Sequence, residues 1–415
     1  MSAGRRILPV GERAVLVEVD AMDAVLDLHA ALTASAPDAV EELVPAARTV
    51  LVRFDPARAP VAAVRAWIAA TEPAGTASLP AREVTLEVAY DGPDLAETAG
   101  LLGLGAAELA ERHARTPWRV AFTGFAPGFA YLVGDGWPFD VPRLAVPRTR
   151  VPAGAVGLAA GFTGAYPRET PGGWRLIGTT AARLFDPGAA EPVLLTPGTR
   201  VRFAAAPRRG IRPTPSPPRD GAISRQRLQE FEAPSSGTGA KPREGAAGPA
   251  LRVDAVGRAS VQDLGRPGLA HLGIARSGAL DRGALRLANR LVGNAEDAAG
   301  IEIDPGGFAA TALRELWVTV TGAWPPLTVS TSTEAATRSA DSHRALLLRA
   351  GDRIEIGRPA HGARAYLAIR GGVDVPAVLG SRATDTLAGL GPAPLRAGEE
   401  IAAGAATTGP PPPLD

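Results

Sequence analysis

Residues 10–90 alternate between two periods. Ala14–Val19 puts Val15, Val17 and Val19 on one face, the period of a half-buried strand. Val25, Leu28 and Leu32 then recur at helical spacing, with Asp20 or Asp23 as the capping residue. Ala39–Val44 reads as a short strand, and Thr49–Phe54 alternates through Val50, Val52 and Phe54. Pro60 suits the first turn of a helix carrying Val61, Val64, Trp67 and Ile68. Val84, Leu86, Val88 and Tyr90 close the stretch with strict alternation. The order β-α-β-β-α-β predicts a ferredoxin-like lobe over residues 1–90.

Two short helices, Pro93–Leu102 and Ala106–Arg115, precede a change of texture. From Trp118 to Phe203 a Gly or Pro interrupts every few residues, which predicts a β-barrel or sandwich over 91–205. Residues 206–249 have the Pro/Arg and Ser/Gly/Ala composition of a disordered linker, with room for one short helix at Ile223–Glu232. The β texture returns over 250–407. There Leu280–Val292 predicts a helix with Leu280, Ala284, Leu287, Ala288 and Leu291 on one face. Val318–Thr321, Leu346–Arg349, Arg353–Ile356 and Tyr366–Ile369 predict strands. Pro197–Phe203 and Ala350–Ile356 resemble each other as a tight turn feeding a strand. Residues 408–415 form an extended tail. The fold class is α+β and mainly β.

Composition narrows the chemistry. The 415 residues exceed one ordinary core, and 46% hydrophobic content suffices for two or three. With 44 basic and 43 acidic residues, neither nucleic acid nor an anionic membrane is an expected partner. Lys241 is the sole lysine, so no P-loop is possible outside the linker. There is no cysteine, and the five histidines show no metal-ligand spacing, so no metal site is expected. No apolar run reaches membrane-span length and no signal peptide is legible, which makes a cytoplasmic location the expectation.

Two dense blocks remain. The first is Phe122–Leu132, where Gly and Ala let the backbone approach a ligand and Phe125, Phe129 and Tyr131 supply walls. It continues through Arg148 and Arg150, which share a strand face and suit a carboxylate or phosphate. Thr163, Tyr166, Gly172 and Gly173 follow in Gly161–Pro167 and Pro171–Gly178. The second block holds Asp263, Arg266 and His271 as a polar cluster, then Ser277 and Gly278 near a helix start that favours an anion. Asp281 is either a helix cap or a general base. Asn294 reads as a C-cap, and Glu302 faces either a pocket or the outer side of its strand. For most of these glycines, turn geometry alone is the favoured reading, and the arginine pair could equally be a solvated strand face.

Together the blocks carry a resemblance. Phe122–Leu132 with Pro171–Gly178 resembles the B component of bacterial 5-oxoprolinase, which belongs to the first of the two allophanate hydrolase subunit families. Val261–Asn294 resembles the C component, of the second such family. The same pair forms the carboxyltransferase region of urea carboxylase and urea amidolyase, and includes a sporulation-kinase inhibitor and its antagonist. Fused B–C chains occur in this family. The resemblance implies a ferredoxin-like lobe, a cyclophilin-like barrel, and a second, partial cyclophilin-like module. That second module is expected to be truncated, because family members continue past the position of Pro394–Ile401.

The implied function is a component of an ATP-dependent hydrolase that opens 5-oxoproline to glutamate with an A-type subunit. Mg-dependent ATP would lie on, or be shared with, that partner. Arg148, Arg150, Tyr131, Phe129, Thr163, Tyr166, Gly172, Gly173, Arg266, Ser277, Gly278 and Glu302 would bind substrate. Asp281, His271 and Asp263 would handle protons. The alternatives are a carboxyltransferase acting on urea or a related amide, which would need biotin-bearing partners, and a non-catalytic regulator of a kinase. A homo-oligomer is also open.

Overall fold

The structure is a computed structural model, and it describes residues 5–72, 82–207, 248–331 and 337–410. Residues 208–247 of the linker, with the candidate helix at 223–232, and the last five tail residues lie outside the described residues, while Gly248 and Pro249, expected in the linker, already belong to a strand. The chain divides into two compact units, and Pro267–Arg276 counts with the first.

The first unit opens with β1 (Arg6–Pro9), β2 (Ala14–Glu18), α1 (Met22–Ala34), β3 (Val40–Pro45), β4 (Thr49–Phe54) and α2 (Val61–Ala70). Their sheet runs β1-β2-β4-β3. The alternation does what it promises: Val15, Val17, Val50, Val52 and Phe54 are fully buried against Val25, Leu28 and Leu32 of α1. Neither Asp20 nor Asp23 caps α1. Its N-cap is Ala21, and Asp23 pairs with Arg119 instead.

The sixth predicted piece departs from the expectation. β5 (Glu83–Val88) pairs parallel with β13 (Arg200–Ala205), not with β2, and β1 takes the edge that β5 would fill in a ferredoxin-like lobe. The physical reason is partner surface. Leu86 and Val88 bury in the same cluster as Val201 and Phe203, not with the Val15 core. After α3 (Leu95–Leu101) and α4 (Ala106–Arg115), short strands follow: β6 (Trp118–Thr123), β7 (Ala130–Gly134), β8 (Arg148–Val151), β9 (Ala155–Ala159), β10 (Phe162–Ala165), β11 (Thr170–Gly172) and β12 (Arg175–Thr179). They make a seven-stranded, barrel-like sheet, β12-β9-β10-β7-β6-β13-β5, with β8 and β11 as a separate ribbon.

The described strands of the second unit form one nine-stranded sheet. Two long strands, β14 (Gly248–Gln262) and β15 (Gly300–Ala312), pair along their length and bend at register shifts. β16 (Leu316–Gly322), β17 (Leu327–Ser330), β18 (Thr337–Ala340), β19 (Leu346–Leu348), β20 (Arg353–Ile356) and β21 (Ala365–Ile369) extend it, and β22 (Glu400–Ala403) pairs with β14. Gly198 and Gly351, which precede β13 and β20, both adopt positive φ, so the two similar phrases are both tight turns into strands.

The helix of this unit is shifted from its predicted face. α5 (Arg282–Leu291) buries Leu285, Ala288 and Asn289, while Leu280 lies outside the helix and is exposed. Gly293 at positive φ and the Asn294 N–H donating to Asn289 O (2.8 Å) end it in a Schellman-type cap. Asn294 is also buried, donating to Ile369 O and accepting from Gly371 N–H. Among the described residues no helix is long and apolar enough to cross a membrane.

Candidate functional site

In the first unit, β7 and the turn before it gather the aromatic residues of the first block. Phe129 is the hub, with ring centroids 5.2 Å from Tyr131, 5.0 Å from Tyr166 and 5.2 Å from Trp174. Phe125 forms the rim. It is 57% exposed and held at φ +69, a conformation an aromatic residue rarely takes. Burial raises the pKa of Tyr131 and pushes Tyr166 up to about 12, so both hydroxyls keep their protons. Arg143 acts electrostatically on both, and its neighbours are tied to the adjacent strand, Leu144 N–H to Gly173 O and Arg175 Nε–H to Pro142 O, both 2.9 Å. Arg143 has no signal in the sequence, because only folding brings 142–144 beside 173–175.

Several predicted ligand residues in this unit have other duties. Arg148 and Arg150 do not form a fork: Arg148 donates to Asp94 (2.6 Å) and Arg150 to Glu169 (2.6 Å). Asp94 in turn accepts from Leu176 N–H at 2.7 Å, so it anchors Arg148 from a buried position. Arg148 Nη1 is buried with no hydrogen-bond partner among the described residues. Thr163 is buried in the core, bonded to His113 Nε2 (2.8 Å) and to Gly157 O (3.1 Å). His113 also meets the Tyr90 hydroxyl at 2.8 Å, and burial lowers its pKa to about 3. Gly172 is a packing residue, since a Cβ there would lie 2.6 Å from the Tyr166 hydroxyl; Gly173 is not so constrained.

His271 also belongs to the first unit, in the short 3-10 turn Ala270–Leu272. Its carbonyl accepts from Thr123 Oγ1 (2.6 Å), Leu272 O accepts from Gly128 N–H (3.2 Å), and Gly268 N–H donates to Glu42 (3.0 Å). Burial lowers the pKa of the imidazole, opposed by Gly268 and Glu42. His271 is thus a fastened residue at the back of the Phe125 turn, and it belongs to a different unit from Asp263 and Arg266.

In the second unit, Asp263 and Arg266 are fasteners as well. Asp263 accepts from Gly265 N–H (2.7 Å), Ser381 Oγ (2.7 Å) and Arg382 N–H (2.6 Å), which leaves it saturated. Arg266 is buried and donates to Val378 O (3.3 Å) and Ala383 O (2.8 Å), pinning an irregular segment. Gly278 sits at positive φ with its would-be Cβ 2.5 Å from Gly265 N. Ser277 donates to Asp385 at 2.7 Å. The start of α5 is no anion site, because Asp281 caps it, accepting from Ala284 N–H at 2.9 Å.

Asp281 at the start of α5 and Glu302 on β15 are brought together. Tyr366, fully buried on β21, bridges them: its hydroxyl accepts from Asp281 N–H and donates to Glu302 Oε2, both at 2.7 Å. Glu302 Oε2 also accepts from Leu280 N–H (2.8 Å), and Arg364 lies 3.5 Å from its other oxygen. Asp281 opens on a cleft of about 310 Å³ lined also by Leu280, Gly322, Trp324, His361 and Arg364. Sequence reasoning misses Trp324, His361, Arg364 and Tyr366, since none lies in either dense block.

The two barrel-like units and their separate residue clusters are those of a carboxyltransferase-domain protein. The chain belongs to that family: residues 5–195 match the carboxyltransferase domain, subdomain C and D, and residues 272–414 match subdomain A and B. It is 32% identical to the protein in the crystal structure of TTHA0988, with a TM-score of 0.78 over 96% of this chain and 76% of that one. Among curated relatives, it is 47% identical over 125 residues to the B component of 5-oxoprolinase from Escherichia coli O157:H7, which is 29% of this chain and 57% of the relative. It is 40% identical over 132 residues to the C component of 5-oxoprolinase from Escherichia coli K12, 32% of this chain and 41% of the relative. The chain spans about half the length of these curated relatives.

Proposed function

We propose that this chain is a component of an ATP-dependent 5-oxoprolinase that, with an A-type subunit, opens the ring amide of 5-oxoproline to glutamate. The observation that carries the reading is Asp281. One of its oxygens caps α5, its backbone is fixed through Tyr366 to Glu302, and the residue lines a cleft sized for a small molecule. A carboxylate so held accepts the amide N–H, or the proton of attacking water, without reorganising. The names of the B and C relatives support the substrate class, and the barrel-like sheets fit a cyclophilin-like fold. In the net reaction one water opens the C–N bond, and hydrolysis of the nucleotide consumes a second.

ATP with Mg²⁺ would supply the phosphoryl group that activates the amide oxygen. Among the described residues the anion candidates are already engaged: the start of α5 is filled by Asp281, and Arg148 and Arg150 are each paired with a carboxylate. This supports a nucleotide site on, or shared with, the A-type subunit. The test is to combine the chain with an A-type partner, ATP, Mg²⁺ and 5-oxoproline and to measure glutamate. Glutamate should form, and Asp281→Asn should lower kcat by about 10²-fold or more. No glutamate from a partner that is active with its own B and C components overturns the reading, and carboxylation of urea with biotin-bearing partners would replace it.

A further inference from the structure

We propose that the cleft of the second unit binds a flat, neutral amide group, stacked on the Trp324 indole with its N–H directed to Asp281, and that the cleft makes no use of a ligand carboxylate. The proposal rests on the function proposed above only in taking a cyclic amide as the ligand.

Two large apolar side chains line this one small cleft in the open: Trp324 is 69% exposed and Leu280 70%. A single exposed apolar residue needs no explanation, but two on the walls of one cleft mark a place where an apolar face is covered. The indole is also held in place. Its ring leans on the His343 imidazole, with centroids 5.0 Å apart and planes at 34°. His343 itself sits at φ +64, a conformation that costs energy in an imidazole residue, and its N–H is tied to Val320 O at 2.7 Å. Opposite, Gly362 at positive φ brings its backbone so near Ala323 that a Cβ would lie 2.8 Å from the alanine methyl. A rigid aromatic face loses little entropy when a flat group stacks on it.

Charge decides what kind of flat group. Among the described residues Arg364 is the only arginine or lysine lining the cleft, and it already serves two carboxylates, Glu302 at 3.5 Å and Asp304. Both contacts of Glu302 Oε2 are donors of this chain, the Tyr366 hydroxyl and Leu280 N–H. Asp281 adds a further negative charge at the lining. A ligand carboxylate would meet Asp281 and a guanidinium already engaged by two carboxylates, whereas an amide N–H meets an acceptor. The carbonyl edge of a lactam is left toward Arg364 and His361, which can donate to it.

The test uses the full chain and its intrinsic fluorescence. The chain has six tryptophans, and subtraction of the Trp324→Phe spectrum isolates the exposed one. Three probes are titrated: 2-pyrrolidone, 5-oxoproline and N-methyl-2-pyrrolidone. The lactam without a carboxylate should quench Trp324 with a half-saturation equal to or below that of 5-oxoproline. The N-methyl compound, which lacks the donor, should bind about tenfold more weakly. Trp324→Ala, its fold checked by circular dichroism, should weaken 2-pyrrolidone about tenfold by calorimetry. Quenching by none of the three, quenching by 5-oxoproline alone, equal binding of the N-methyl compound, or an unchanged affinity in Trp324→Ala each overturns the proposal. The glutamate assay separates this from the proposed function. Turnover with an unaltered KM in Trp324→Ala removes the platform and leaves that function standing, while lactam binding without any turnover does the reverse.

Discussion

Replacing Tyr366 by Phe removes one oxygen and nothing else. The ring is fully buried beside Leu285 and Ala279, and Phe fills the same space, so no cavity term enters. The hydroxyl bridges two partners at 2.7 Å each, donating to the Glu302 carboxylate and accepting from Asp281 N–H. A hydrogen bond to a charged group contributes roughly 1.5–3 kcal/mol, and the neutral one about 1 kcal/mol. Glu302 keeps Leu280 N–H and Arg364, which limits the loss on its side. The expected cost is therefore about 3 kcal/mol, or roughly 6–12 °C in the melting of a unit this size. Burial holds the Tyr366 pKa well above its ordinary value, so the hydroxyl stays a donor and the loss should not vary between about pH 6 and pH 9. Scanning calorimetry of the full chain measures the shift, and hydrogen exchange at the Leu280–Ala284 amides locates it. A transition displaced by less than about 2 °C, with exchange at Asp281 unchanged, would refute the assignment of the Asp281–Glu302 link to Tyr366.

Three further outcomes follow from single contacts. Arg266→Leu should free the segment that Val378 O and Ala383 O tie to the guanidinium, costing about 3 kcal/mol and raising hydrogen exchange across 376–386; unchanged exchange there would remove its fastening role. Gly278→Ala adds a Cβ 2.5 Å from Gly265 N at a positive φ, so it should destabilise the second unit by about 2 kcal/mol or more, read as a lower urea midpoint; a neutral result would mean that the Gly265 loop yields. His113 is neutral in the fold with a pKa of about 3, against an ordinary 6.5. As pH falls below 6.5 the unfolded ring takes up a proton that the folded ring refuses, so stability present above that pH is lost toward pH 3 at about 1.4 kcal/mol per pH unit. His29 and His271, also lowered by burial, add slope of the same sign, so His113→Gln should flatten the dependence without abolishing it. An identical slope in the variant would assign the effect elsewhere.

Where the sequence is legible, one face of one element decides burial. Val15, Val17, Val50, Val52 and Phe54 alternate because their sheet has a single apolar side, and each is fully buried. The α4 and β13 boundaries follow from the turns that flank them, Gly105 before the helix and Gly198 before the strand. The β5 segment is legible as a strand but not as to partner. Its alternation states that Leu86 and Val88 share a face, while the choice between the Val15 core and the Val201 core depends on surfaces far away in the chain. The buried face of α5 differs from the expected one because Leu280, Leu287 and Leu291 suit the same helical period as Leu285 and Ala288. The N-cap Asp281 sets the start at Arg282 and so puts Leu280 outside.

The site divides along the same line. Dense Gly/Pro/Arg/Asp blocks signal close backbone approach, and the structure shows how much of that approach is self-directed: Asp263, Arg266, His271, Thr163 and Gly278 all hold the chain to itself. Each is a polar or small residue where loops must pass within hydrogen-bond reach, the same demand that a ligand makes, so composition cannot separate the two. What separates them is saturation. Asp263 has three donors on its oxygens, whereas Asp281 spends one oxygen on its cap and lines a cleft. For Glu302, saturation depends on Tyr366 and Arg364, more than 60 residues downstream and on a separate strand and loop. Their side chains carry no local signature, since a Tyr within the apolar run Ala365–Ile369 reads as core, and it is core. Its hydroxyl is what ties the Asp281 backbone at the start of α5 to the Glu302 carboxylate on β15.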